Sequence, residues 1–269
     1  MDVRAKRVLI TGGSRGIGES IAHAFAGAGA VVALVARSED AIRKLAAELG
    51  GTAHPADLSE RADVEGLLER IEDESGPVDV LVNNAGIEAT KSIVDTTADE
   101  LARITQVNYV AAAELCRQAI PRMLGRGGGH IVNVSSLAGV GVYPGLATYS
   151  ATKSALTHFT AGLRADLRGL PIDTTVVELG PIPTDMLEYV DDYQPTARSF
   201  QRFYRLQLMV EVPREKVADE VLEAVQRGRR HVRIPKRAVA FSLLSEAPRR
   251  IVEVLLTGVP HQGTRTDRS

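Results

Sequence analysis

The chain has 269 residues, 44% of them hydrophobic and 25% charged, which is ordinary globular usage and enough length for the core of one large α/β domain. The formal net charge of −2 offers no global basic field to nucleic acid, and the single cysteine, Cys116, excludes an internal disulfide and a cysteine-built zinc site. The six histidines are scattered without metal-ligand spacing, so no metal centre is expected.

Met1–Lys6 leads straight into a strand-like run, and no uninterrupted apolar stretch reaches membrane-spanning length. A cytoplasmic protein with neither signal peptide nor transmembrane segment is the expectation. Arg7–Thr11 reads as the first strand and Ile17–Ala28 as a helix with Ile17, Ile21, Ala24, Phe25 and Ala28 on one face. Strand Val31–Ala36, helix Glu39–Leu49, strand Thr52–Ala56, a helix around Glu60–Glu74 and strand Val78–Val82 follow. A long helical region covers Asp99–Leu124, then strand His130–Val134, helix Tyr149–Leu167, strand Ile172–Glu178, helix Pro213–Arg227 and strand His231–Ile234. Strands that are apolar throughout, such as Val31–Ala36, suit burial on both faces. The alternation predicts an α/β fold: a Rossmann-type doubly wound sheet of about seven mainly parallel strands with helices on both faces. Residues 1–269 read as a single domain, with 236–269 as a C-terminal extension.

Between the first strand and its helix stands Thr11-Gly12-Gly13-Ser14-Arg15-Gly16-Ile17-Gly18. A tight strand-to-helix turn that lets phosphates approach the backbone needs residues without a Cβ, and the helix N-terminus offers free N–H groups. Gly12, Gly16 and Gly18 meet these needs, at G-x-x-x-G-x-G spacing rather than the commoner G-x-G-x-x-G. A glycine-rich turn alone is weak evidence; its place between strand and helix strengthens it. An acid at the end of the second strand would bind the ribose 2′-OH of NAD, but here the strand ends Val35-Ala36-Arg37. Arg37 or Arg15 alone reads as a solvated surface charge. Together, with no acid to repel a 2′-phosphate, they favour NADP(H) over NAD(H).

Tyr149 and Lys153 lie at i and i+4 on one helical face. A phenol ordinarily titrates near 10, and a neighbouring ammonium would lower that toward usefulness in proton transfer. Such a pair is common by chance. Upstream, however, the buried-looking strand Gly129–Ser136 ends in two hydroxyls, and Ser136 can donate to a developing oxyanion, though a turn or capping serine looks the same.

With these motifs the chain resembles the short-chain dehydrogenase/reductase family, in its main single-domain branch. The resemblance rests on Thr11-Gly12-x-x-x-Gly16-x-Gly18, Asp57-Leu58, Asn83-Asn84-Ala85-Gly86, Asn108, Ser136, Tyr149-x-x-x-Lys153 and Gly180-x-x-x-Thr184, in family order across about Arg7–Thr184. It implies that Tyr149 exchanges a proton with the substrate oxygen, that Ser136 holds that oxygen, and that Lys153 lowers the tyrosine pKa and binds the nicotinamide ribose. Asn108 would anchor a water chain to Lys153. Asp57 and Leu58 would contact the adenine, Asn84-Ala85-Gly86 would pass the adenosine ribose, and Thr184 with the backbone near Ile182 would hold the carboxamide. Ser14 and Ile17 belong to the phosphate loop. Leu179 stands where the family has a proline, and the C-terminus lacks the tail of many tetrameric members, which puts the standard tetramer in doubt.

Carbonyl reduction by NADPH, or its reverse, is therefore the expected reaction. A non-catalytic nucleotide sensor would lack the Tyr/Lys pair, and an NAD-dependent alcohol dehydrogenase would be separated by cofactor affinities. Residues 185–212 are read as a substrate lid, since Met186–Met209 hold Tyr189, Tyr193, Phe200, Phe203 and Tyr204, five of eleven aromatics. Phe200, Phe203 and Tyr204 share a helical face, and with Leu137, Val142 and Tyr143 opposite they predict a pocket for a bulky apolar ketone or alcohol. Ordinary packing explains the aromatics equally well. A homodimer through Asp99–Leu124 and Tyr149–Leu167 is expected, with Ala111, Ala112, Ala113 and Ala119 permitting close approach. The apolar and basic segment Ala238–Leu256 covers the lid or a partner subunit, or lies on an anionic membrane.

Overall fold

The computed structural model describes residues 1–141, 143–182, 192–207 and 210–236. Seven strands form one sheet: β1 (Arg7–Thr11), β2 (Val31–Ala36), β3 (Thr52–Pro55), β4 (Val80–Asn83), β5 (Gly129–Ser136), β6 (Ile172–Leu179) and β7 (His231–Ile234). Their order is β3-β2-β1-β4-β5-β6-β7, and every pairing is parallel. The helices are α1 (Gly16–Gly27), α2 (Glu39–Leu49), α3 (Arg61–Val64), α4 (Leu67–Ser75), α5 (Ala98–Thr105), α6 (Ala111–Gly125), α7 (Ala147–Asp166), α8 (Gln194–Arg205) and α9 (Arg214–Arg227).

Alternation along each strand divides the apolar side chains between two cores. Val8 and Ile10 of β1, Val80 and Val82 of β4 and Val132 of β5 face the side covered by α1, α2 and α9. Leu9, Leu81 and Ile131 face the opposite side, covered by α4, α6 and α7. Both faces are thus sealed, which is why β2 carries an apolar residue at every position. Phe25 of α1 is fully buried, worth about 1.5–3 kcal/mol relative to exposure.

Several boundaries differ from the sequence expectation. The helix expected around Glu60–Glu74 is two, because Gly66 adopts φ +66° and breaks it. The Asp99–Leu124 region is helical throughout but carries a π-helical turn at Gln106–Val110, the segment that holds Asn108. The lid stretch contains the helix α8. Ala111, Ala112 and Ala119 are 0%, 7% and 1% exposed within the single chain, so they cannot supply the close intersubunit approach expected of them. They face the core because α6 packs on the sheet, and only Ala113 of that set is partly exposed. Of the C-terminal extension, Lys236 is described, in an ion pair with Glu220 at 3.5 Å; Ala238–Leu256 lie outside the described residues. No helix among the described residues is long and apolar enough to cross a membrane.

Candidate active site

In a doubly wound sheet the strand order reverses between β1 and β4, and the crevice beyond their C-terminal ends is where ligands bind. A cleft of about 1030 Å³ lies there. It is lined by the loop after β1, the end of β2 at Arg37, the loop after β3 at Asp57 and Leu58, the turn after β4, and the end of β5 at Ser136.

The first and fourth strand loops are fastened together. Thr11 Oγ1 accepts the N–H groups of Asn84 and Ala85 at 3.0 and 3.1 Å. In return Asn84 Nδ2 donates to the carbonyls of Thr11 and Gly12 at 3.0 and 3.3 Å. Gly12 has φ +65°, and a Cβ there would lie 2.9 Å from Ala85 Cα. At Gly18 a Cβ would run into the Gly12 carbonyl oxygen. α1 begins at Gly16, and its N-cap, Arg15, makes no side-chain capping bond. The first N–H groups of the helix are left without that cap, so this turn fits a dinucleotide pyrophosphate. Ser14, Arg15, Gly16, Ile17, Gly18, Ala85, Gly86 and Ile182 all line the cleft. Thr184 and Val142 lie outside the described residues.

At the adenine end, Arg37 Nη1 is 3.9 Å from Asp57 Oδ2, and both groups are partly exposed to the cleft. Burial works to raise the Asp57 acid, but bonds from the Ser59 N–H and hydroxyl, with the charges of Arg37 and Arg103, hold it below the ordinary carboxylate range. Arg103 of α5 lines the same wall. Sequence reasoning missed it, since a single arginine on a surface helix carries no motif.

At the other end the residues expected to take part in the reaction meet. Tyr149 and Lys153 face the cleft from α7, with Lys153 Nζ 5.8 Å from the Tyr149 ring centroid and donating to the Val134 carbonyl at 3.0 Å. Ser136 both caps the short turn after β5, accepting the Ala138 N–H at 3.1 Å, and faces Tyr149; the capping and functional readings describe one side chain. Its hydroxyl donates to the Leu179 carbonyl at 3.2 Å. Leu179, where proline was expected, completes β6 and pairs with both Ser136 and Ile234.

Burial, with the Glu88 carboxylate, pushes the Tyr149 phenol above its ordinary value, while hydrogen bonding to Ser136 works the other way. Burial also holds Lys153 down to about 8, with Glu88 opposing. The Lys153 ammonium sits over the Tyr149 ring, 5.8 Å from its centroid.

Asn108 is 1% exposed. Its Oδ1 accepts the Ile87 N–H and its Nδ2 donates to the Ile87 carbonyl, both at 2.8 Å, with a further bond to Thr152 Oγ1 at 3.1 Å. The side chain clamps the turn after β4 against α7, and no direct bond to Lys153 is seen. The residue after this clamp is Glu88, half-buried on the cleft wall, which sequence reasoning did not single out.

Tyr143 meets α8 across the cleft, its ring centroid 5.7 Å from Phe200 and 5.6 Å from Phe203. Thr196 Oγ1 pins that helix by donating to the Pro144 carbonyl at 2.6 Å. Tyr204, expected on the same face, turns its hydroxyl to Glu211 at 3.4 Å instead of lining the cleft.

A family model described as short chain dehydrogenase matches residues 6–195. A short chain dehydrogenase of Pseudocercospora fijiensis is 34% identical over 221 residues, 80% of this chain and 71% of that protein. Matches to two other curated proteins span 62% and 61% of their lengths. Among solved structures, a short-chain dehydrogenase from Sphingobium yanoikuyae in complex with NADPH superposes with TM-score 0.77 and 26% identity, covering 98% of this chain and 100% of the other. A short chain dehydrogenase/reductase from Burkholderia phymatum in complex with NAD gives TM-score 0.78 at 24% identity, covering 98% and 99%.

Proposed function

The chain belongs to the short-chain dehydrogenase/reductase family of NAD(P)-dependent oxidoreductases, and on that premise we propose that it interconverts a bulky apolar ketone and its alcohol, with NADP(H) preferred and Tyr149 as proton donor and acceptor. The observation that carries this reading is the convergence of Ser136, Tyr149 and Lys153 on the cleft that also takes in the glycine loop. When bound, the nicotinamide supplies or accepts the hydride. Tyr149 gives its phenolic proton to the carbonyl oxygen, or takes it back from the alcohol. Ser136 donates a hydrogen bond to the same oxygen as charge develops there. Lys153 brings positive charge to the phenol and reaches the nicotinamide ribose. The rings of Tyr143, Phe200 and Phe203 on the cleft wall support an apolar substrate. Residues 185–212 then act as its lid.

The reading is tested by offering ketones and alcohols with each cofactor and following the reduced-nicotinamide absorbance. Turnover should be fastest with bulky apolar ketones. If small polar carbonyls react best the pocket is misread, and if nothing reacts with either cofactor the hydride-transfer reading is lost. A homodimer through α5–α6 and α7 in the cytoplasm belongs to the same proposal, supported by Val110, 41% exposed where α5 meets α6. Light scattering that finds a monomer removes it.

The cofactor preference has its own test. Among the described residues Arg37 makes a contact of 3.9 Å with Asp57, which leaves its fork room for a 2′-phosphate beside Arg15. Charge-assisted hydrogen bonds are worth about 1.5–3 kcal/mol, so Arg37→Asp should weaken NADPH at least about tenfold more than NADH. Equal losses for the two cofactors in a fluorescence titration would show that Arg37 does not read the phosphate.

A further inference from the structure

Glu88 is an unusual neighbour for a proton-transferring tyrosine. It lies on the cleft wall together with Ser136, Tyr149 and Lys153, while Val140, Tyr143, Phe200 and Phe203 make the same region apolar. Its backbone is fixed: the preceding residue, Ile87, is held at both its N–H and its carbonyl by Asn108. The carboxylate is poorly satisfied, its one hydrogen bond among the described residues coming from Thr90 Oγ1 at 3.5 Å. That distance is at the limit of a bond, and an ionised carboxylate has about four acceptor positions. Burial lifts this acid to about 7, opposed by the Thr90 bond and by Lys153. An acceptor left this open on the cleft wall, close enough for its charge to act on Tyr149 and Lys153, costs stability unless a ligand completes it.

We propose that Glu88 is a specificity-determining residue, accepting a hydrogen bond from a hydroxyl carried next to the reacting carbon, so that the substrate is a hydroxy-ketone or its vicinal diol on an otherwise apolar frame. This rests on the ketone–alcohol reading above. A hydroxyl fits better than an ammonium group, because a cation would share the cleft with Lys153. A carboxylated substrate is disfavoured for the converse reason, since its charge would meet Glu88. Tyr149 and Ser136 engage the oxygen that reacts; Glu88 engages the neighbouring one and sets which way the carbon skeleton points.

The test uses the full-length protein at about pH 8, where Glu88 is mostly ionised, saturated with reduced cofactor and titrated calorimetrically with matched alcohols, so that no reaction can occur and binding is read apart from turnover. A vicinal diol is expected to bind about tenfold more tightly than the mono-alcohol of the same skeleton, the size of one hydrogen bond to a charged acceptor. Glu88→Leu should erase that ratio, and Glu88→Gln should keep part of it, because the amide oxygen still accepts. The matching 2-hydroxy acid should bind most weakly to the wild type and gain affinity in Glu88→Leu. A ratio near one in the wild type, an unchanged ratio in Glu88→Leu, or no gain for the acid in that variant overturns the proposal. Measured turnover separates the two readings: a diol preference without any turnover refutes the oxidoreductase assignment of substrate and leaves Glu88 standing as a hydroxyl reader, whereas turnover with no diol preference does the reverse.

Discussion

Replacing Tyr149 by phenylalanine is expected to lower kcat about 10³-fold or more, with cofactor affinity and melting temperature nearly unchanged. The ring keeps its packing and its contact with Lys153, 5.8 Å from the centroid, so only the acid is removed. A positioned general acid is worth about 10²–10⁴ in rate. The pH dependence carries a sign that checks the same machinery. The phenol is raised, so it stays protonated through neutrality and is poised to donate in the reductive direction. Lys153 is depressed to about 8, so its charge, present below that pH, is lost as pH rises through it. Reduction should therefore fall off above about pH 8, while alcohol oxidation, which needs the phenol ionised, should climb into the alkaline range. Residual reductase activity of more than a few per cent in Tyr149→Phe, with a verified substrate, would transfer the acid role elsewhere.

The parts of this site that were legible in the sequence are those whose chemistry is local. The glycine loop reads from Gly12, Gly16 and Gly18 because the backbone geometry demands them at that spacing. The pair Tyr149 and Lys153 reads from one helical turn. The parallel sheet reads from strands such as Val31–Ala36, whose alternate residues must enter two different cores. What stayed hidden depends on contacts between distant segments. Glu88 gains its character from burial in the cleft and from Lys153 of α7, far along the chain, so nothing next to it in sequence marks it. Asn108 reads from the ordered motifs, but its bonds to Ile87 and Thr152 do not, because that clamp is visible only once β4 and α7 are adjacent. The alanines of α6 looked available for a subunit contact because small residues read the same whether they face a partner or their own sheet. Gly66 split a helix that the apolar period had run through, its left-handed backbone overriding the pattern on either side.

Gly18→Ala should lower cofactor affinity at least about 100-fold and lower the melting temperature, even though alanine is the better helix former by about 0.8–1 kcal/mol. The added methyl would enter the Gly12 carbonyl oxygen and lie 2.6 Å from Asn84 Nδ2. Gly12 cannot retreat, since it is backed by Ala85 and its carbonyl is one of the two that Asn84 holds. Relief must come from pushing apart the loops that follow β1 and β4, which is the ground on which the pyrophosphate would lie. Overpacking of this kind costs about 1–3 kcal/mol, which exceeds the helix gain over most of that range. For a chain of this size each kcal/mol is worth about 2–4 °C, so a fall of a few degrees is expected. Gly27 supplies the control in the same helix: a Cβ there meets nothing within 4 Å. Gly27→Ala should keep full cofactor affinity and hold or raise the melting temperature. If both variants bind cofactor as the wild type does, the close approach at Gly18 is not what shapes the phosphate site; if both lose it, the effect belongs to the helix and not to the loop.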